Sequence, residues 1–350
     1  MKKTTSIATA AVLLLILIGI GVSQKSKNKS AKAIAASVYL HEEGHVHGTT
    51  YHITYEAPNG KSLQTEYEAE FKQFDLSLST FEPQSIISRI NKNDSNVKID
   101  NNFRTVFEEG EKVSAASGGA FDMTVAPLVN AWGFGFDKKD HVTESQVKEI
   151  MKHVGYQKVK IEGDHLIKSD PAIMLDASAI AKGYSSDVVA RLLEKHGVKN
   201  YMVEIGGECV VKGHNQEGKN WTIGITKPVD DSTQQQNELQ QIIEMSHGGL
   251  ATSGNYRQFY YKNGKKFAHT IDPHTGHPVN HSLLSATIYA PTCMEADAYA
   301  TACMVLGIDK AMSLIEAHPE LEGYFIFSDA NNKYDVKFTS GFKNMIKNNP

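Results

Sequence analysis

The chain has 350 residues, 41% hydrophobic and 22% charged, the composition of an ordinary globular protein with ample core for one large domain or two intimate ones. A formal net charge of -4 leaves no basic surplus to neutralise a phosphate backbone, which argues against nucleic acid and for a small molecule or a protein as partner. The three cysteines, Cys209, Cys293 and Cys303, are too few and too widely spaced for a disulfide framework or a Cys-x-x-Cys site, so buried free thiols are expected.

Lys2 and Lys3 precede an apolar run at residues 7–22, and a Lys-rich polar stretch follows it. This pattern reads as a secretory signal or a signal anchor; no small-x-small cleavage site lies directly behind the run, which favours an uncleaved anchor over residues 1–23. Lysines flank both sides, so the positive-inside rule leaves orientation open, and export rests on likeness to ordinary signal sequences. No Cys lies near the run, which excludes lipid attachment at an amino-terminal cysteine. Residues 24–36 read as a polar tether, and a single folded domain is expected over residues 37–350.

Within that domain His41-Glu-Glu-Gly-His45 matches the His-Glu-x-x-His pattern of zinc peptidases, which needs both imidazoles on one helical face. Gly44 inside the motif and the β-branched residues after it argue against a helix, leaving a solvated or strand-borne histidine cluster, with His47 and His52 nearby. Alternation predicts a strand from Thr49, ended by the Pro58-Asn-Gly60 turn. Helical spacing of apolar residues predicts helices over residues 63–78 and 103–116, the second stopped by Ser117-Gly-Gly119.

Ile173-Met-Leu175 reads as a short apolar strand running through Asp176-Ala-Ser178 into a helix near residues 181–196, closed by Gly197. Strands are predicted at residues 201–205, ending at Gly206-Gly207, and at 221–225. The Gln-rich stretch 230–241 reads as a solvated loop. A strand over residues 283–290, helices over 294–306 and 310–318, and a strand at 324–327 complete the reading. Strands and helices are interspersed without regular βαβ alternation, which predicts an α+β fold and not a doubly wound sheet.

Three segments offer chemistry. Asp297 and Thr301, four residues apart on a helix, share a face and present one anionic and one neutral oxygen, a set that Mg²⁺ accepts. A dipole-favoured Asp and a Thr bonded to its own backbone account for the same spacing. Asp176-Ala-Ser-Ala-Ile-Ala-Lys-Gly-Tyr184 opens a helix whose unpaired N–H groups, together with Lys182, suit an anion; a capping Ser and a surface Lys explain it as well. In His269-Thr-Ile-Asp-Pro-His-Thr-Gly276 the Asp-Pro turn sets His269 at a strand end, with a pKa suited to taking a proton from a hydroxyl.

Taken together, the ordered segments resemble the ApbE family, the FAD:protein FMN transferases. The likeness runs through Gly48-Thr-Thr-Tyr51, Ser79-Thr-Phe-Glu-Pro83, Ser88-Arg-Ile-Asn91, Gly119-Ala-Phe-Asp-Met-Thr-Val-Ala-Pro127 and Trp132-Gly-Phe-Gly135. It continues through the Asp176 segment, Glu204-Ile-Gly-Gly207, Thr252-Ser-Gly254, the His269 turn and Glu295-Ala-Asp-Ala-Tyr-Ala-Thr301.

The resemblance implies a single T-fold-like catalytic domain with mixed or antiparallel sheets and packed helices. It implies transfer of FMN from FAD to a Thr or Ser hydroxyl of an acceptor protein in a flavin-bearing electron-transfer system, with release of AMP. Mg²⁺ ligands would fall on Asp297, Thr301 and the Ala179 carbonyl, and His269 would deprotonate the acceptor. FAD contacts would fall on Ala120, Phe121, Asp122, Asp176, Lys182 and Ile271, with His47 and Phe81 nearby. His47 stands where the family often has an apolar residue, Phe81 where many members have Tyr, and Ala300 where some have an acid, which favours one metal ion over two. Alternatives on the same site are an FAD pyrophosphatase releasing FMN and AMP, or a flavin-binding protein without turnover. Placement is expected to be extracytoplasmic, tethered to the cell inner membrane.

Overall fold

Alternating burial along short β-rich segments builds an eight-stranded sheet that carries the rest of the molecule. The computed structural model describes residues 38–135, 142–229, 238–255, 259–262, 265–329, 331 and 333–347. The apolar run and the tether lie outside these residues; among those described, no helix is long and apolar enough to cross a membrane.

The strands are β1 (Val38–Val46), β2 (Thr49–Ala57), β3 (Val159–Glu162), β4 (His165–Lys168), β5 (Tyr201–Ile205), β6 (Glu208–Lys212), β7 (Trp221–Thr226), β8 (Leu239–Met245), β9 (His247–Gly254), β10 (Phe259–Lys262), β11 (Lys265–Ala268), β12 (Leu283–Ala290), β13 (Glu322–Ser328) and β14 (Tyr334–Phe338). The helices are α1 (Gln64–Leu78), α2 (Ile86–Asn91), α3 (Asn101–Ala116), α4 (Ala126–Ala131), α5 (Glu144–Met151), α6 (Ala181–Lys195), α7 (Cys293–Leu306) and α8 (Ile308–Glu316). The large sheet runs β1-β2-β5-β6-β9-β12-β13-β14, with β2 onward paired antiparallel. The α+β expectation is met: sheets are antiparallel and helices pack on them.

Because side chains alternate across a strand, neighbouring residues feed different cores. Val203 and Val210 join the core under α1 and α6, whereas Cys209 and Val211 face the opposite core with Trp221, Ile243 and Phe342. One sheet face is thus covered by helices and the other by the β7–β8 hairpin and the chain end. Both faces being dry, β12 is buried along nearly its whole length.

Two glycines let α7 enter this helical layer. A Cβ on Gly183 of α6 would lie 2.3 Å from the Cys293 carbonyl oxygen, and one on Gly249 of β9 would lie 2.3 Å from the Cys293 nitrogen. The start of α7 is therefore wedged between a helix and a strand at backbone contact distance, which sets Asp297, one turn further on, against the start of α6.

Several expectations are corrected. Ile173-Met-Leu175 is buried but not a strand: the Leu175 N–H donates to Asn91 Oδ1 at 2.7 Å, Asn91 Nδ2 donates to the Leu175 carbonyl at 2.9 Å, and the Asp176 N–H donates to Met123. A side-chain amide supplies the partners that a ladder would. Residues 239–241, read as loop, belong to β8, while residues 230–237 lie outside the described residues. The strand-borne reading of His41 through His45 holds, since they form part of β1; among the described residues no trio of His, Cys, Asp and Glu side chains is grouped to hold a metal. The three cysteines are buried and free, as expected.

Candidate active site

Lys182 opens α6 and reaches toward β6. Its Nζ lies 2.6 Å from Glu208 Oε1 and 3.9 Å from Asp297 Oδ2. The two acids are only 4% and 3% exposed, while the lysine side chain keeps a third of its surface open. Asp297 Oδ2 also accepts the Gly183 N–H at 3.0 Å, so the first turn of α6 offers it a backbone donor as well as a cation.

The charges in this group shape each other. Burial raises the Asp297 carboxyl above its usual range, opposed by Lys182 and the Gly183 N–H. Burial likewise pushes Glu208 up to about 7, against the pull of Lys182 and with the push of Asp297. Burial alone would lower the Lys182 ammonium, but Asp297 and Glu208 outweigh it and hold it above the ordinary lysine value. Two desolvated carboxylates against one ammonium leave the site short of positive charge.

Thr301 lies one turn beyond Asp297 on the same face, and its hydroxyl is 3.2 Å from that of Ser253 in β9. Two residues on, Asn255 Oδ1 accepts the Thr270 hydroxyl at 2.7 Å. Thr270 adjoins His269, whose ring meets Phe134 edge-on with centroids 6.5 Å apart. The end of β9 therefore links the Asp297/Thr301 helix to the turn that bears His269. Tyr256 and Arg257, which follow Asn255, lie outside the described residues.

Asp272 organises that turn: its Oδ1 accepts the His274 N–H, its Oδ2 the Thr275 hydroxyl, and its carbonyl the Gly276 N–H. His274 Nε2 then reaches the Gly118 carbonyl at 2.9 Å, bringing the turn to the segment of Ala120, Phe121 and Asp122. The Asp122 carboxylate is already occupied, accepting from the Thr124 N–H and hydroxyl and from the Tyr156 N–H. Ala120, Phe121 and Ile271 are buried, so the Phe121 ring offers no open face for stacking.

Asp176 forms a local turn by accepting the Ser178 N–H at 2.8 Å, and Ala179 sits in the following turn just before α6. Phe81, in the loop after α1, is 80% exposed. His47 occupies a left-handed position, φ 50, between β1 and β2. Its Nδ1 pairs with Asp75 Oδ1 at 2.7 Å and its Nε2 with the Ser185 hydroxyl at 2.9 Å, so both ring nitrogens clasp α1 to α6. Glu208 is absent from the sequence expectations; the available signal was an acid directly after Gly206-Gly207, followed by the apolar residues Cys209 to Val211.

Residues 47–325 match the ApbE family. The FAD:protein FMN transferase of Haemophilus influenzae is 38% identical over 318 residues, 87% of this chain and 90% of that protein. Its counterpart from Vibrio cholerae is 39% identical over 287 residues, covering 80% and 85%. Among solved structures, the flavin transferase ApbE from Vibrio cholerae superimposes with a TM-score of 0.79 at 36% identity, covering 88% of this chain and 99% of that one. The apo flavinyl transferase ApbE of Pseudomonas stutzeri does so with a TM-score of 0.79 at 31% identity, covering 88% and 97%. On the matched span and on these relatives, the chain belongs to the ApbE family.

Proposed function

We propose that this protein is an Mg²⁺-dependent FAD:protein FMN transferase, moving FMN from FAD onto a Thr or Ser hydroxyl of an acceptor protein and releasing AMP. The observation that carries the reading is the Lys182 ammonium held between buried Asp297 and Glu208 and tied through β9 to the His269 turn. Such a group suits a pyrophosphate, whose cleavage asks for charge neutralisation and an activated incoming oxygen.

In this reading Lys182, at the start of α6, holds the FAD phosphates with its ammonium. His269 takes the proton of the acceptor hydroxyl as its oxygen forms a bond to the FMN phosphorus, and the P–O bond to AMP breaks. The flavin part of FAD lies along Phe81, Asp176 and the backbone of Ala120, Phe121, Asp122 and Ile271, with His47 holding the helices behind it.

The residues present suit a divalent ion. The buried Asp297 carboxylate and the Thr301 hydroxyl on one helix face are hard oxygen donors, and a single ammonium faces two buried acids there. Bound Mg²⁺ would be held by Asp297, Thr301 and Ala179 and would neutralise phosphate charge. We place the domain over residues 37–350 outside the cytoplasm, tethered to the inner membrane through residues 1–23, on the strength of the apolar run and its flanking lysines.

Incubation of the purified protein with FAD and Mg²⁺, with and without an extracytoplasmic protein extract, tests the reading. Covalent flavin on an extract protein, located by mass spectrometry, supports transfer. FMN and AMP formed equally without extract would instead indicate a pyrophosphatase, and unchanged FAD would indicate binding alone.

A further inference from the structure

Glu208 opens β6 directly after Gly206 and Gly207, whose φ values of 64 and 103 turn the β5–β6 hairpin. The turn points its carboxylate inward at Lys182. Gly206 serves the same approach, since a Cβ there would meet Thr49 at 2.9 Å and the Lys182 stem at 3.4 Å. Ser186, one turn along α6 from Lys182, donates to the Glu208 carbonyl at 3.1 Å, so both ends of the residue are pinned to that helix.

This arrangement is poor as a stabilising device. Glu208 Oε2 is buried and finds no hydrogen-bond partner among the described residues. A buried carboxylate with an unpaired oxygen costs free energy, and a buried ion pair is weak evidence for stability. Stability therefore does not account for this carboxylate, and its one close side-chain contact among the described residues is the Lys182 ammonium.

We propose that Glu208 is a positioning residue for group transfer: its Oε1 fixes the Lys182 ammonium beside Asp297, aimed at the substrate phosphates. Without that anchor the ammonium would collapse onto Asp297 or swing toward solvent. The inference rests on the reading that Lys182 and Asp297 face the FAD pyrophosphate. Misplacement of a charge by about 1 Å is enough to cost on the order of 10²-fold in rate.

The test measures AMP release from FAD in the presence of the extracytoplasmic protein extract, FAD affinity and melting temperature in Glu208→Gln, Glu208→Asp, Lys182→Met and the Glu208→Gln/Lys182→Met double variant. Glu208→Gln is expected to lower kcat about 10- to 100-fold with FAD Kd changed less than about threefold. Glu208→Asp, which keeps the charge on a shorter arm, should recover part of that loss and stay measurably below wild type in kcat. In the Lys182→Met background, Glu208→Gln should cost less than about twofold more, because its effect runs through the lysine. Wild-type kcat in Glu208→Gln, or its full loss repeated without Lys182, overturns the proposal. Unchanged kcat in Lys182→Met alone would sink the pyrophosphate reading instead. If Glu208→Gln does not fold, Glu208→Asp decides: lowered kcat at constant FAD Kd supports positioning, and wild-type kcat with a lowered melting temperature overturns it.

Discussion

Asp187 of α6 accepts the backbone N–H of Met294 at 2.9 Å, and its other oxygen takes that of Cys293 at 3.0 Å. A carboxylate from one helix thus caps the start of the next, at the end where the dipole favours negative charge. The same contact fixes where Asp297 stands relative to Lys182, so a cap made by tertiary packing sets the spacing of the candidate site.

Burial pushes Asp187 up to about 6, with the two N–H groups opposing. A raised carboxyl pKa means that the folded state favours the proton: the stabilisation is complete below about pH 4 and is lost as pH rises through about 6. Asp187→Asn has no such loss, so the stability gap between wild type and variant should shift in favour of the variant by roughly 2–3 kcal/mol between pH 4 and 7. Urea unfolding at both pH values checks this; a gap independent of pH contradicts it. Asp187→Ala orphans two buried N–H groups and should cost about 2–4 kcal/mol at pH 5.

Gly183→Ala should destabilise the domain by about 1–3 kcal/mol or more, because the new methyl falls on the Cys293 carbonyl rather than on a flexible side chain. Calorimetry should show a drop in melting temperature of at least a few degrees, and FAD turnover should fall with it as Asp297 is pushed from Lys182. A neutral effect would mean that α6 and α7 separate easily.

His269→Ala is expected to lower transfer by on the order of 10²–10⁴-fold, the usual contribution of general base catalysis, while FAD affinity stays near wild type. Equilibrium titration of flavin fluorescence beside single-turnover transfer separates the two. Flavinylation at the wild-type rate shows that another group accepts the proton.

Asp297→Asn keeps the volume and an acceptor for the Gly183 N–H but removes the charge. If Asp297 holds the ion as proposed, the Mg²⁺ concentration for half-maximal AMP release should rise by at least about tenfold, since the assigned ligand set would lose its anionic member. An identical Mg²⁺ titration in variant and wild type counts against the metal assignment.

Much of this was legible along the chain. Helical periodicity and stop signals placed α1, α3, α6, α7 and α8 within a few residues of their observed ends, and Asp297 and Thr301 share a face as four-residue spacing requires. One misreading has a tertiary cause. Ile173-Met-Leu175 resembles a strand because it is apolar and buried, yet Asn91, 84 residues away, satisfies its backbone. His41 to His45 matches a helical motif by letter, but Gly44 and the β-branched residues after it already spoke for a strand, and the segment pairs with β2 at the sheet edge.

By itself the sequence determined local structure and family: helix and strand segments follow from the period of apolar residues, and the ordered motifs point to one group of enzymes. Tertiary structure decided the site. Lys182, Glu208 and Asp297 are separated by 26 and 89 positions, and no periodicity relates them. They meet because a hairpin turn aims Glu208 inward and because Gly183 and Gly249 let α7 approach at backbone distance. Desolvation then couples their charges, and that coupling exists only once water has been excluded by the packed chain.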